Sequence, residues 1–303
     1  MSTLITDRPS STLAIWWAAI RPSTLWAGAT PVLVGSALAF ADHQLALGPA
    51  VGALVGALLI QIATNLFNDY EDCRKGADTD ERLGPARATQ RGWLSPSDIL
   101  TGVKLSLALA FVVGIYLVSV GGWPIVVLGL ASLVCAVAYT GGPFPLAYLG
   151  LGDVFVMAFF GVGAVCGTYY LQSLTVTPDA VIASVAVGAL ATAILVVNNL
   201  RDRHTDAVVG KRTLAVRLGA SFSRVQYVLL VVVAFALPVI WGIGQQRITW
   251  VVACGAAPMA VFEIRGVLMR DGADLNEHLG GTARLGLVHG ILLSAGMVAE
   301  VWL

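Results

Sequence analysis

Nine stretches of this chain are apolar for long enough to cross a bilayer, and nothing else in the sequence narrows its possible folds as much. They run over 14–41, 47–70, 99–119, 123–139, 151–172, 179–200, 224–243, 249–268 and 283–303. A spanning helix needs about 20 mostly apolar residues, because hydrocarbon offers its backbone amides no other partner. The fourth stretch is short, and Glu263 and Arg265 interrupt the eighth, so a count of eight stays open. Only 12% of the 303 residues are charged and 57% are apolar, where a water-soluble domain carries about 25% charged residues. The expected fold is all-α: a polytopic membrane protein of about nine transmembrane helices bundled around a cytoplasm-facing polar cavity, with 1–303 as a single integral-membrane domain.

Basic residues sort to one side, which is normally the cytoplasmic one. The loop after the second stretch holds Arg74, Lys75, Arg82, Arg87 and Arg91. The loop after the sixth holds Arg201, Arg203, Lys211, Arg212, Arg217 and Arg224, and the region after the eighth holds Arg265, Arg270 and Arg284. Nine spans put all three on the same face as Arg8 and Lys104, with Arg21 able to snorkel there and only Arg247 opposite. The N-terminus is therefore expected in the cytoplasm. No cleavable leader is expected, because the first apolar stretch is too long and contains Arg21-Pro22. The 18 basic and 18 acidic residues balance, so bulk charge points to no nucleic-acid partner. Cys73, Cys135, Cys166 and Cys254 are scattered, with neither disulfide nor zinc spacing.

Two polar clusters end apolar stretches on the basic side. The first reads Asn65-Leu66-Phe67-Asn68-Asp69-Tyr70-Glu71-Asp72. The second reads Asn198-Asn199-Leu200-Arg201-Asp202-Arg203-His204-Thr205-Asp206. Carboxylates at a membrane helix end are costly to desolvate, and they ordinarily bind something. On a helix, Asn65, Asn68, Asp69 and Asp72 share a face, as do Asn198, Asp202 and Asp206. A plain helix end needs no such one-sided strip. Hard oxygen donors without His or Cys favour magnesium, which commonly bridges one or two carboxylates to substrate phosphates. Nearby Lys and Arg can neutralise a diphosphate further. Asp78 can return toward the site because Gly76 before it permits a tight turn, whereas Glu71 points off the strip and is expected in solvent. His204 is expected at the surface, His278 in plain loop and His289 as a hydrogen-bonded packing histidine. Asn65…Asp69 and Asn198…Asp202 share one offset of 133 residues; duplication and convergence on one ligand both account for it.

These motifs resemble the UbiA superfamily of intramembrane aromatic prenyltransferases, which carries N-D-x-x-D on its second helix and D-x-x-x-D on its sixth. Here they stand as Asn68-Asp69-Tyr70-Glu71-Asp72 and Asp202-Arg203-His204-Thr205-Asp206. Lys75 to Arg82 with Gly84-Pro85, Gly210 to Leu214, Arg21-Pro22 with Thr24-Leu25, and Thr282 to Leu285 are similar to the 1,4-dihydroxy-2-naphthoate branch of menaquinone synthesis. So is Tyr139-Thr140-Gly141-Gly142-Pro143, which lacks the basic residues of the 4-hydroxybenzoate branch.

The resemblance implies transfer of a polyprenyl group from polyprenyl diphosphate to the bicyclic aromatic acid, with loss of CO2 and diphosphate. It implies Mg2+ held by Asp69, Asp72, Asp202 and Asp206 as the catalytic carboxylates, with Asn68 beside them. Asn65, Asn198, Arg74, Asp78, Arg201 and Lys211 are then candidates for the diphosphate, and Arg21, Tyr139 and Lys211 for the acceptor carboxylate. Its partners would be the two substrates and the lipid bilayer of a bacterial cytoplasmic (inner) membrane, with the active site cytoplasmic. The prenyl tail needs an apolar groove between helices. The Gly/Ala runs 159–167 and 183–193 are read first as close helix packing. A sister enzyme with another acceptor is the nearest rival. A secondary transporter is the rival of another class, but its carboxylates usually lie near the midplane on broken helices. Here they crowd one end of uninterrupted stretches.

Overall fold

The computed structural model describes residue 9 and residues 11–76, 83–84 and 87–303. Arg8, Asp78, Asp80, Glu81 and Arg82 lie outside the described residues. Among those described there is no strand, and eight helical segments are long and apolar enough to cross a membrane.

Two short helices and nine longer ones follow the apolar stretches. They are α1 (Thr12–Ile20), α2 (Pro22–Ala41), α3 (Leu47–Arg74), α4 (Pro96–Gly121) and α5 (Trp123–Ala138). The fifth stretch is α6 (Gly152–Val156) and α7 (Ala164–Ser173), joined by the π-helical turn Met157–Gly163. Then come α8 (Pro178–Val208), α9 (Leu214–Gly244), α10 (Ala257–Met269) and α11 (Leu275–Ala299). α5, at 16 residues, is the short fourth stretch, below the usual spanning length.

The first apolar stretch is not one helix, as the sequence suggested, but two. Arg21 adopts φ 54° between α1 and α2, a left-handed conformation that a non-glycine residue holds only when its surroundings fix it. Asn65 supplies that fixation from α3. Its amide nitrogen donates to the Ile20 carbonyl at 2.9 Å and to Thr24 Oγ1 at 2.7 Å.

The bundle closes on itself, with α11 packed against α2 and α3 paired with α4. α8 is its axis: 67% of its apolar window is buried, against 17% for α4, which faces outward. Close approach explains the axis. A Cβ at Gly161 would lie 2.7 Å from the Ser184 carbonyl oxygen, and one at Gly188 would lie 2.8 Å from Gly161 Cα. The π turn and α8 therefore touch backbone to backbone.

Buried polar pairs tie the rest together. Arg247, expected as an isolated cation on the opposite face, lies 3.2 Å from Asp42, 3.2 Å from Asp179 and 3.6 Å from Glu300. It joins the ends of α2, α8 and α11. His278 is not in loop but buried on α11, its Nδ1 2.8 Å from Glu263 Oε2 on α10. That pairing explains how the eighth stretch tolerates a carboxylate. His289, expected as a hydrogen-bonded packing histidine, is fully buried edge-on to Phe235 with ring centroids 4.8 Å apart, but among the described residues neither ring nitrogen has a hydrogen-bond partner. All four cysteines are free.

Candidate active site

The C-terminal end of α3 is more enclosed than its sequence suggests. Asp69 is 1% exposed. Its Oδ2 accepts from the Ala88 amide at 3.1 Å and its Oδ1 from the Thr89 hydroxyl. Asp72 accepts from Arg87. Asn68 accepts from the Thr140 hydroxyl at 2.8 Å. Glu71 is buried rather than solvated, holding Arg74 at 2.9 Å and Lys75 at 3.5 Å. The corner after α5 folds over that face: Lys75 donates to the Thr140 carbonyl and sits 4.3 Å from the centre of the Tyr148 ring. Arg74, a candidate for the diphosphate, is paired with Glu71 here. Its side chain is 58% exposed and turned onto Glu71.

The second motif is organised by Arg201, which is 1% exposed. Its guanidinium donates to Asp202 at 2.7 Å, to Asn198 at 2.9 Å and to Asn276 at 2.9 Å. Arg201, a candidate for the diphosphate, is buried and spends these hydrogen bonds inside the protein. One turn on, Asp206 faces Lys211 at 3.4 Å and keeps one carboxylate oxygen buried without a protein partner. His204 is exposed.

Both motifs act electrostatically on Tyr148. Its phenol is pushed up to about 12 by burial and then by the carboxylates of Asp72 and Asp206, one from each motif. The Tyr148 carbonyl also accepts from the Arg212 amide at 3.1 Å, which ties the corner to the segment after α8.

Beside this polar end opens a cavity of about 550 Å3, lined by Val32, Ile60, Phe111, Ile125, Phe155 and Phe160 among others. Asn65, Asn68 and Tyr139 form part of its wall. The run 159–167 both packs, through Gly161, and lines this cavity, through Phe159, Gly163, Ala164 and Gly167. The run 183–193 only packs. Arg21 does not line the cavity; it stays at the break between α1 and α2. Asn65 does line it, although its amide nitrogen is committed to that break.

Tyr139 also borders a second space of about 10 Å3 with Asp153, Asn199 and Thr213. That is room for about one water among several polar groups. Sequence reasoning missed Asp153, though a lone carboxylate opening an apolar stretch was a usable signal. It also missed Arg87, Thr140, Tyr148 and Asn276, whose roles depend on tertiary contacts alone.

The donor set fits magnesium. It offers only hard oxygens, and one of them, on Asp206, is buried and unshared. Among the described residues no three His, Cys, Asp or Glu side chains converge into a closed cage. Magnesium at phosphate sites needs none, since it takes one or two carboxylates and completes its shell with phosphate and water.

The pattern of the UbiA prenyltransferase family matches residues 29–281. The chain is 38% identical over 230 residues to a 1,4-dihydroxy-2-naphthoate octaprenyltransferase of Haemophilus influenzae, covering 73% of this chain and 75% of that one. It is 33% identical to the 1,4-dihydroxy-2-naphthoate octaprenyltransferase of Escherichia coli, over 98% of this chain and 99% of that one. A UbiA homologue from Archaeoglobus fulgidus, solved bound to DMAPP and Mg2+, shares the fold. Its TM-score is 0.62 at 14% identity, covering 92% of this chain and 99% of the other.

Proposed function

The chain belongs to the UbiA prenyltransferase family, and we propose that it transfers a polyprenyl group from polyprenyl diphosphate to 1,4-dihydroxy-2-naphthoate. Diphosphate and CO2 leave, and demethylmenaquinol, a menaquinone precursor, forms. The observation that carries this reading is the 33% identity to a 1,4-dihydroxy-2-naphthoate octaprenyltransferase over 98% of the chain.

The geometry supports a division of labour. The 550 Å3 cavity takes the apolar tail, and the acidic end of α3 and α8 takes the diphosphate. Asp69, Asp72, Asp202 and Asp206 hold Mg2+, with Asn68 and Asn198 beside them. Bound there, magnesium supplies the charge that stabilises the departing diphosphate. Arg87 pairs with Asp72 and Lys211 with Asp206, and both lessen the mutual repulsion of anions crowded into one place. Arg201 fixes Asn198 and Asp202 in orientation, so the site needs little rearrangement when the allylic C–O bond breaks.

Tyr139 stands where the apolar cavity meets the polar end, and there it orients the acceptor ring. The ring carbon bearing the carboxylate attacks the allyl cation. Loss of that carboxylate as CO2 restores aromaticity with no net proton change. Enclosure by α3 and the Tyr139–Tyr148 corner keeps water from the cation. The basic loops support a reading with this end in the cytoplasm and the protein in a bacterial inner membrane.

The test is product formation by purified protein in nanodiscs with Mg2+, a long-chain polyprenyl diphosphate and 1,4-dihydroxy-2-naphthoate, read by mass spectrometry. Prenylated product short by the mass of CO2, and lost with EDTA, is expected. Product only in a parallel tube of 4-hydroxybenzoate would move the protein to a sister branch. None with either would overturn the reading.

A further inference from the structure

Three elements distant in sequence meet at the Asn276 side chain. Its Nδ2 donates to the Leu83 carbonyl at 2.7 Å, in the segment that follows the first acidic motif. Its Oδ1 accepts from Arg201 Nη1 at 2.9 Å, inside the second motif. Asn276 itself sits in the first turn of α11. The contact at Gly84 is as tight: a Cβ there would lie 2.8 Å from Arg201 Nη2. The guanidinium thus has Asp202 and Asn198 on its own helix, Asn276 from α11 and the Gly84 backbone against its face.

From this we infer that Asn276 is a positioning residue for diphosphate binding, acting through Arg201. An amide suits the position because it donates and accepts at once. Its two bonds run in opposite directions, to a backbone carbonyl on one side and a buried cation on the other. Among the described residues the other hydrogen bonds of Arg201 go to Asn198 and Asp202 of α8, so rotation of its guanidinium would carry both with it. Among the described residues Asn276 supplies the hydrogen bond to Arg201 from outside α8, and it fixes that rotation. Gly84 adds the steric limit, since any side chain there presses on the guanidinium. The second motif is thereby tied to the segment that follows the first, through a residue belonging to neither.

The inference rests on the diphosphate reading of the site but not on the acceptor, so its test does not use turnover alone. Binding of inorganic pyrophosphate with Mg2+ to purified protein is measured by calorimetry, beside thermal melts. For Asn276→Ala, affinity is expected to fall about ten- to hundredfold, the range of a lost hydrogen bond to a charged group. Asn276→Asp keeps the acceptor for Arg201 and loses the donor to Leu83, and falls between. Gly84→Ala weakens binding as well.

In turnover assays Asn276→Ala raises KM for the prenyl diphosphate more than it alters KM for the acceptor. Variants that melt earlier yet bind pyrophosphate like wild type would reduce Asn276 to a structural residue and overturn the inference. Wild-type protein that binds pyrophosphate but prenylates no acceptor would overturn the proposed reaction and leave this inference standing. Wild-type protein that binds none would overturn both.

Discussion

Arg87 donates to Asp72 Oδ2 across 2.5 Å, joining residues fifteen positions apart into a pair whose side chains are 8% and 13% exposed. A carboxylate of the first motif is thus balanced by a cation from the segment that follows it. Removing one member of a buried pair strands the other, at about 3 kcal/mol. Arg87→Ala is therefore expected to lower the melting temperature in detergent and to cut kcat/KM by about two orders of magnitude. Arg87→Lys keeps the charge without the planar fork and recovers part of both. Unchanged melts for the alanine variant would show that the pair contributes nothing to the fold.

Asp69 and Asp202 make a different prediction, because each stands in the proposed metal set. Asp69→Ala and Asp202→Ala are expected to reduce turnover by about 100- to 1000-fold, the usual loss when a group facing developing charge is removed. Both should elute as monodisperse folded protein on size exclusion. Activity near wild type in either variant, assayed at limiting magnesium, would sink the metal assignment.

Asp271 and Arg203 give a pH dependence outside the site. Hydrogen bonding to Arg203 pulls the Asp271 carboxyl down to about 2. A depressed carboxyl stabilises the fold above its unfolded value of about 3.9, and that stabilisation is lost as pH falls through about 2. Melting temperatures measured from pH 7 downward should therefore decline on the acid side, with Asp271→Asn showing a shallower decline below about pH 4. The effect is modest, since half of the Asp271 side chain is exposed and solvent screens the pair. Superimposable acid limbs for the two proteins would dismiss Asp271 as a contributor.

How much of this was legible in the sequence depended on the kind of signal. Hydropathy located every long helix, because bilayer thickness imposes a length that side-chain polarity reports directly. Helical spacing placed Asn68, Asp69 and Asp72 on an enclosed face, and the second motif followed the same rule. Glu71 and His278 went astray for one reason: each is covered by another part of the chain, the Thr140–Tyr148 corner that reaches Lys75 beside Glu71 in one case and Glu263 in the other. Periodicity describes one helix and is silent about what covers it. Arg87 was one of several basic residues in its loop, and only tertiary structure distinguishes it from Arg74. The break at Arg21 was hidden because Pro22 is equally at home in the first turn of a helix, where it does lie.

The cavity makes a prediction about chain length. Gly129 on α5 and Gly114 on α4 both line it, and a Cβ at either meets no atom within 4 Å. A large side chain there can project into the groove without first displacing the backbone. Gly163 and Gly167 line the same groove, but a Cβ at either would already crowd Leu128, at 3.1 Å and 2.6 Å, so substitution there confounds blockage with misfolding. Gly129→Phe is the cleaner probe. A long prenyl tail needs the full groove, whereas a two-isoprene tail needs only the part nearest the acidic motifs. The variant is expected to lose tenfold or more in kcat/KM with a long-chain diphosphate while staying within about threefold of wild type with geranyl diphosphate, because only tail contacts are removed. Competition between the two donors in one tube, read as product masses, reports the ratio free of errors in enzyme concentration. Equal losses with both donors would mean that Gly129 serves packing and that the tail runs elsewhere.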